Sequence, residues 1–302
     1  MRRILYITIY GGQPLVHVAR KRHYIQGGII MVVQHNMQAV NTNRMLGMNV
    51  KAVAKSTEKL SSGYAVNRAG DDAAGLSISE KMRNQIRGLN QAVKNSEDGI
   101  SLIQTAEGNM NEIHSILQRM GELAIKARND VNATEDRQTI QDEIDQLKQE
   151  ISSITKKAEF NGTKLLNGNM AGSGKTLQVG ANQGETMKIT ISGTSLTKLK
   201  LTSVAVTDGA KASVAIGKIQ DAIKNVSAQR SLLGAVQNRL EYTINNLENY
   251  SENLTSAESQ IRDTDMAQEM VTFSKNQILQ QAAQSMLAQA NQSNQGVLSL
   301  LQ

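Results

Sequence analysis

Apolar residues recur at alternating steps of four and three along one stretch of the chain: Met82, Ile86, Leu89 and Val93, then Ile103, Ala106, Met110, Ile113, Leu117, Met120, Ala124, Ala127 and Val131. This is the spacing of a coiled-coil seam, a single stripe that a helix must bury against neighbouring helices. One step is irregular, between Ile100 and Ala106. A helix of this length runs roughly 90 Å at about 1.5 Å per residue. Gly88, Gly99, Gly108 and Gly121 interrupt it, each costing about 1 kcal/mol relative to Ala, so the helix depends on its packing partners.

The rest of the chain supplies such partners. From Val33 to about Ser62, apolar residues at Val33, Met37 and Val40 predict an amphipathic helix that Gly63 ends, and the loop "GYAVNRAG" follows. A third helix is expected from about Glu135 to Ala158, with a seam at Ile140, Ile144, Leu147, Ile151, Ile154 and Ala158, broken by "FNGTKLLNG". Between about 160 and 209 the texture changes, and "LQVGANQGETMKITISG" reads as strand, turn, strand. Helical spacing returns at Val214, Ile216, Ile219, Ile223, Val226, Leu233, Leu240, Ile244, Leu247 and Leu254. With no Cys or Trp, two Phe and a single Pro in 302 residues, the core must be built from Leu, Ile, Val, Met and Ala. The expected fold class is mainly α: a long coiled-coil-like helical bundle with a small β-hairpin insert in the middle.

The net charge of +6 does not mark a nucleic-acid protein. Arg2, Arg3, Arg20, Lys21 and Arg22 lie in the first thirty residues without an acid, which leaves the remainder nearly neutral and without a basic stripe. Those thirty residues also hold the only Pro and three of the six Tyr. They make a poor signal peptide, because "ILYITIY" is short and broken by Thr and Tyr. Gln26-Gly27-Gly28 can be encoded with the purine-rich ribosome-binding sequence AGGAGG, a few nucleotides before the Met31 codon. Residues 1–30 are therefore expected to be translated leader, with Met31 as the start; a genuine basic tail is the alternative.

After Lys275 no charged residue occurs, in "NQILQQAAQSMLAQANQSNQGVLSLLQ". Its many amides exclude a membrane span. An uncharged, Ala- and amide-rich helix is explained by burial against other helices, with Ile278, Met286, Val297 and Leu300 as its packing residues. A disordered polar tail that becomes helical on assembly is the alternative.

Catalytic chemistry is not legible. In "NRAGDDAAGLSISEKM", Asp71 and Asp72 are adjacent, so on a helix they point about 100° apart and cannot share a proton. They precede a helix, whose free N–H groups an Asp caps. "GNMAGSGKT" lacks P-loop spacing, since Asn169 stands where the first Gly is needed. His35 and His114 have no partner at ligand spacing. No catalytic, metal or cofactor site is expected, and no enzyme activity.

The chain from Met31 resembles bacterial flagellin. "MVVQHNMQAVNTNRMLG" is similar to that family's N-terminus, and "KLSSGYAVNRAGDDAAGLSISEKMRNQIRGLNQA" to its most diagnostic run. "NGTKLLNG", "LQVGANQGETM" and "LGAVQNRLEYTINNLENYSENLTSAESQIRDTDMAQEM" recur in it in order. Residues 1–30 have no counterpart.

The resemblance implies a filament subunit, exported unfolded through the flagellar type III secretion apparatus with an export chaperone and polymerised with itself beneath a filament cap. It implies paired N- and C-terminal helices, 31–73 with 258–302, as an inner-tube domain. A bundle domain of 74–160 with 210–257 and an insert of 161–209 complete the implied division. The four glycines would permit close packing and sliding. The resemblance further implies recognition by the animal Toll-like flagellin receptor through "LQRMGELA", that is Leu117, Gln118, Arg119 and Leu123, with Glu143 on the next helix. Gly121 stands where strongly stimulatory members carry Arg. A hook-filament junction protein, or another helical adaptor, is the competing reading.

Overall fold

The computed structural model describes the backbone of residues 36–301 apart from Ser173, and side chains as far as Ser293. Val33, His35 and the expected leader fall outside the described residues. The chain divides into two compact units, one formed by the segments up to Lys55 and from Val271, the other by Ser56–Met270. We call them the terminal and central units. The elements are α1 (Met37–Ser62), α2 (Ala73–Arg128), α3 (Thr134–Lys157), β1 (Glu159–Phe160), β2 (Thr163–Lys164), β3 (Lys175–Gln178), β4 (Thr186–Ile189), α4 (Gly209–Arg262) and α5 (Met266–Leu301). The protein is mainly α, with two small antiparallel hairpins between α3 and α4.

In the central unit, α2 starts where Asp72 caps it, the carboxylate accepting from the N–H groups of Ala74 and Gly75, both at 3.0 Å. Asp71 does something else: its carboxylate accepts from Asn67 N–H at 3.4 Å and Arg68 N–H at 3.2 Å, closing the loop before the helix. Gly63, at φ 77°, ends α1 in the left-handed conformation that glycine adopts without steric cost.

The α2 seam is fully buried from Ile103 to Ala127. A fully buried Ile, Leu or Met contributes about 1.5–3 kcal/mol by leaving water, so this stripe dominates the stability of the unit. The interval between Val93 and Ile103, where the spacing of large residues lapses, is not a gap in the stripe, and the step from Ile100 to Ala106 is bridged by buried Ile103. Buried Ala92, Ser96 and Gly99 carry it from Leu89 to Ile103 in steps of three and four. They were missed because the stripe there is made of small residues, which leave room for Leu177 and Ile189 of the second hairpin. Val131, by contrast, is 88% exposed. It was expected to end the seam, but α2 stops at Arg128 as Asn129 turns to extended backbone.

Opposite α2, the buried stripe of α4 is Ala212, Ala215, Ile219, Ala222, Val226, Leu233, Leu240 and Leu247. Sequence spacing placed Ile219, Val226, Leu233, Leu240 and Leu247 there, but Val214, Ile216 and Ile223 in place of the alanines. Val214 is exposed and the other two pack at the margin. Alanines face α2 in this stretch, and their small size lets two long helices lie close.

The hairpins carry the remaining core. Asn161 and Gly162, both at positive φ, form the tight turn joining β1 to β2, so "FNGTKLLNG" is a hairpin and not only a helix break. It delivers Leu165 and Leu166 to full burial. The segment after β4 is tied to α3 by a small polar network. Buried Gln141 accepts from Val206 N–H at 2.7 Å and donates to Asp145 at 3.0 Å. Lys148 donates to Asp145 at 2.9 Å and to the Val204 carbonyl.

Of the four helix glycines, two are explained by contacts within the chain. A β-carbon on Gly88 would come 2.9 Å from Ala181 Cβ and 3.3 Å from its Cα, and one on Gly99 would collide with Leu177. A β-carbon on Gly108 would meet nothing, and one on Gly121 would make an ordinary 3.7 Å contact with Ile219. Gly88→Ala should therefore cost about 1–3 kcal/mol through the forced backbone shift. Gly108→Ala should stabilise by about 0.5–1 kcal/mol. Urea unfolding of the two variants checks the opposite signs.

Burial pushes the Asp145 carboxyl up, but hydrogen bonds from Gln141 and Lys148 outweigh it and hold the group below the ordinary aspartate value. A depressed carboxyl contributes stability that is present above the unfolded-state pKa and lost as the pH falls through the folded one. The stability difference between the wild-type chain and Asp145→Asn should accordingly be constant above about pH 5 and shrink as the pH falls below about 4. Denaturation midpoints between about pH 6 and pH 3 measure it, and a difference constant throughout would remove the ionised carboxylate from this network.

Candidate functional site

The terminal unit has almost no interior of its own. Among its described side chains only Ala290 is buried, at 7% exposure. Asn36 holds its two segments together: the side-chain oxygen caps α1 by accepting from Ala39 N–H at 2.9 Å, and the amide nitrogen donates to the Ala290 carbonyl at 2.9 Å. The apolar residues meanwhile face outward. Met37, Val40 and Met48 of α1, and Val271 and Met286 of α5, are exposed, and Ile278 is 65% exposed. On α5, Val271, Ile278 and Met286 follow one another at seven and eight residues and so share a face. Val297 and Leu300 lie on the α5 backbone, but their side chains are outside the described ones. An exposed apolar face of this length marks an interaction surface.

In the central unit the loop between α1 and α2 and the short link between α4 and α5 meet in one polar junction with almost no sequence signal. Ala65 N–H donates to the Arg262 carbonyl at 2.7 Å, and Thr264 N–H to the Gly63 carbonyl at 2.9 Å. The Arg262 guanidinium stands 4.6 Å from the centre of the Tyr64 ring, a cation–π contact. Ser79 donates to Glu258 at 2.7 Å. Asp265 caps α5, accepting from the N–H groups of Ala267 at 2.9 Å and Gln268 at 3.1 Å. Only that cap had a sequence signal, an Asp just before an apolar helix.

The third feature is a ridge on α2 facing α3. Of the residues singled out there, Leu117 and Leu123 are core side chains at 0% and 3% exposure. Folded, they cannot touch a partner, and their part is to hold the ridge in place. Gln118, Arg119 and Glu143 are exposed. Arg119 bonds Glu143 at 3.0 and 3.2 Å and Glu122 at 3.2 Å. These bonds, from Glu143 first, hold the guanidinium above its ordinary pKa. Together with Lys126, Thr139 and Ile140 they border a groove of about 500 Å³ between α2 and α3. Glu122 was not singled out, although its three-residue spacing from Arg119 was legible.

No group of three or more His, Asp or Glu side chains fit to hold a metal occurs among the described residues. No helix among them is long and apolar enough to cross a membrane.

Residues 33–171 match the model of the bacterial flagellin N-terminal helical region, and residues 216–301 that of the C-terminal helical region. A flagellin from Halalkalibacterium halodurans is 53% identical over 273 residues, covering 90% of this chain and 100% of the relative. The flagellar filament 31.3 kDa core protein of Treponema maltophilum is 46% identical over 288 residues, again covering 90% and 100%. The crystal structure of Bacillus cereus flagellin aligns at a TM-score of 0.46 with 32% identity, over 51% of this chain and 88% of that one. Matched over 33–171 and 216–301 by the two family models and over 90% of its length by curated flagellar relatives, this chain belongs to the bacterial flagellin family.

Proposed function

We propose that the chain is the structural subunit of a flagellar filament, polymerising with copies of itself in the extracellular flagellum. The observation that carries this reading is the uncovered apolar face of the terminal unit: residues 36–55 and 271–293 hold one buried side chain between them. A second copy of the same chain supplies the missing cover, with the amides of the uncharged α5 segment bonding across helices. Family membership favours this over a hook-filament junction protein or another helical adaptor. In this reading residues 31–73 with 258–302 act as the inner-tube domain, 74–160 with 210–257 as the bundle around it, and 161–209 as a short outer insert. Ile278, Met286, Val297 and Leu300 pack the tube.

The same exposed face explains two further partners. A chain that would aggregate through α5 before assembly needs an export chaperone on that helix. Export unfolded through the flagellar type III secretion apparatus, to be folded under the filament cap, keeps the face from self-associating inside the cell. For the animal Toll-like receptor, the groove-lining side chains Arg119 and Glu143, with exposed Gln118 next to Arg119 on α2, are the residues we propose as its contacts, with Leu117 and Leu123 supporting them from beneath.

Two measurements test these readings. In seeded polymerisation, Ile278→Asp with Met286→Asp should leave the melting of the central unit unchanged. The protein remaining in the supernatant should rise at least about tenfold, because an unpaired carboxylate buried at each contact costs several kcal/mol. Sedimentation equal to wild type would overturn the filament reading. In cells carrying the receptor and a reporter, Arg119→Ala with Glu143→Ala should shift the monomer dose response by about tenfold or more, as loss of an interface Arg does. An unshifted curve would remove the ridge from that role.

A further inference from the structure

A second groove, of about 420 Å³, lies where the N-terminal part of α4 meets the segment 203–207. Its floor is apolar, formed by Ala205, Ala210 and Ala215, and Val214 stands exposed on its edge. Lys211 and Lys218 flank it. Lys218 reaches the Ser203 hydroxyl at 2.9 Å and Lys211 the Thr207 hydroxyl at 3.5 Å, and neither has a carboxylate partner among the described residues. Over 198–224 the chain carries five lysines against two aspartates.

The opposite charge sits on α3, where 134–150 carries six acids against two basic residues. Several of the acids are already engaged: Glu143 by Arg119, Asp145 by Lys148, and Asp136 as acceptor from Ala133 N–H. Glu135 and Asp142 are exposed and have no cation paired with them among the described residues. They are seven residues apart, as Lys211 and Lys218 are. Each pair therefore spans roughly 10 Å along one face of its helix. Within one chain the two pairs do not meet, because the segment 203–207 runs between them, bonded to Gln141 of α3 through Val206 and to the α4 lysines through Ser203 and Thr207.

We propose that the Lys211, Val214 and Lys218 face of one copy docks on the Glu135 and Asp142 face of α3 in a neighbouring copy. Charge sign and spacing match, and the lysines already sit over an apolar floor that a neighbour would shield from water. Because the two faces differ, the contact is heterologous: every copy offers one of each, so it propagates instead of closing on a pair. It rests on the filament reading and adds a salt-sensitive contact between central units to the apolar burial of the terminal unit.

The test is a charge swap in seeded polymerisation. Lys211→Glu with Lys218→Glu should raise the protein left in the supernatant roughly tenfold, since like charges then face each other at every contact. Adding Glu135→Lys and Asp142→Lys to the same chain should bring it back to within about twofold of wild type, because both faces are then exchanged. Normal sedimentation of the double variant, or no recovery in the quadruple, would overturn the proposal. If the reversed chains melt early by circular dichroism, Lys211→Gln with Lys218→Gln replaces them. Its polymer should lose sensitivity to added NaCl, and unchanged sensitivity would overturn the proposal equally. A wild-type chain that fails to extend seeds would overturn the filament reading itself, a separate outcome.

Discussion

Burial of one face of α2 governs the central unit. From Leu89 to Ala127 it is a continuous stripe, covered by the alanine-lined face of α4, by α3 and by the two hairpins. Every other feature of the unit is placed by that burial. The hairpins enter where the stripe narrows to Ala92, Ser96 and Gly99, α3 folds back after Asn129 ends α2, and Gln141 and Lys148 then hold the segment 204–206 over the core. Lose the seam and nothing else in the unit has an apolar surface large enough to order it.

The terminal unit obeys the same physics with the cover left off. Its helices have the apolar spacing of packed helices, yet among the described side chains of the unit only Ala290 is buried. Helices with so little buried side-chain surface are marginal in water. Self-association turns that deficit into a driving force, since each added copy covers the face that the previous one exposes. In the contact proposed for the lysine groove of the central unit, charge sets which faces meet, while apolar burial of the terminal unit supplies most of the attraction.

The long helices were legible because their stripes are made of large residues at unambiguous steps. Where small residues carry the packing, the reading failed. Ala212 and Ala215 were passed over for Val214, although a close helix crossing selects alanine, and Gly99 looked like an interruption when it seats a hairpin. Val131 looked like seam because its spacing fits, but spacing does not reveal that the backbone has already turned at Asn129. Leu117 and Leu123 were picked as contacts by resemblance, whereas their own seam spacing and its extension by three put them inside. The Tyr64 and Arg262 junction had no sequence signal, because it joins residues far apart in the chain through backbone bonds that any residue can make.

In the filament reading, the terminal helices are completed by other copies. Amide hydrogen exchange, read by segment in the free chain and in the sedimented polymer, tests it most directly. Residues 103–127 should be strongly protected in both states, while 37–55 and 271–301 should exchange quickly in the free chain and become protected by several orders of magnitude in the polymer. Terminal helices as protected in the free chain as the α2 seam, or no more protected in the polymer, would contradict it.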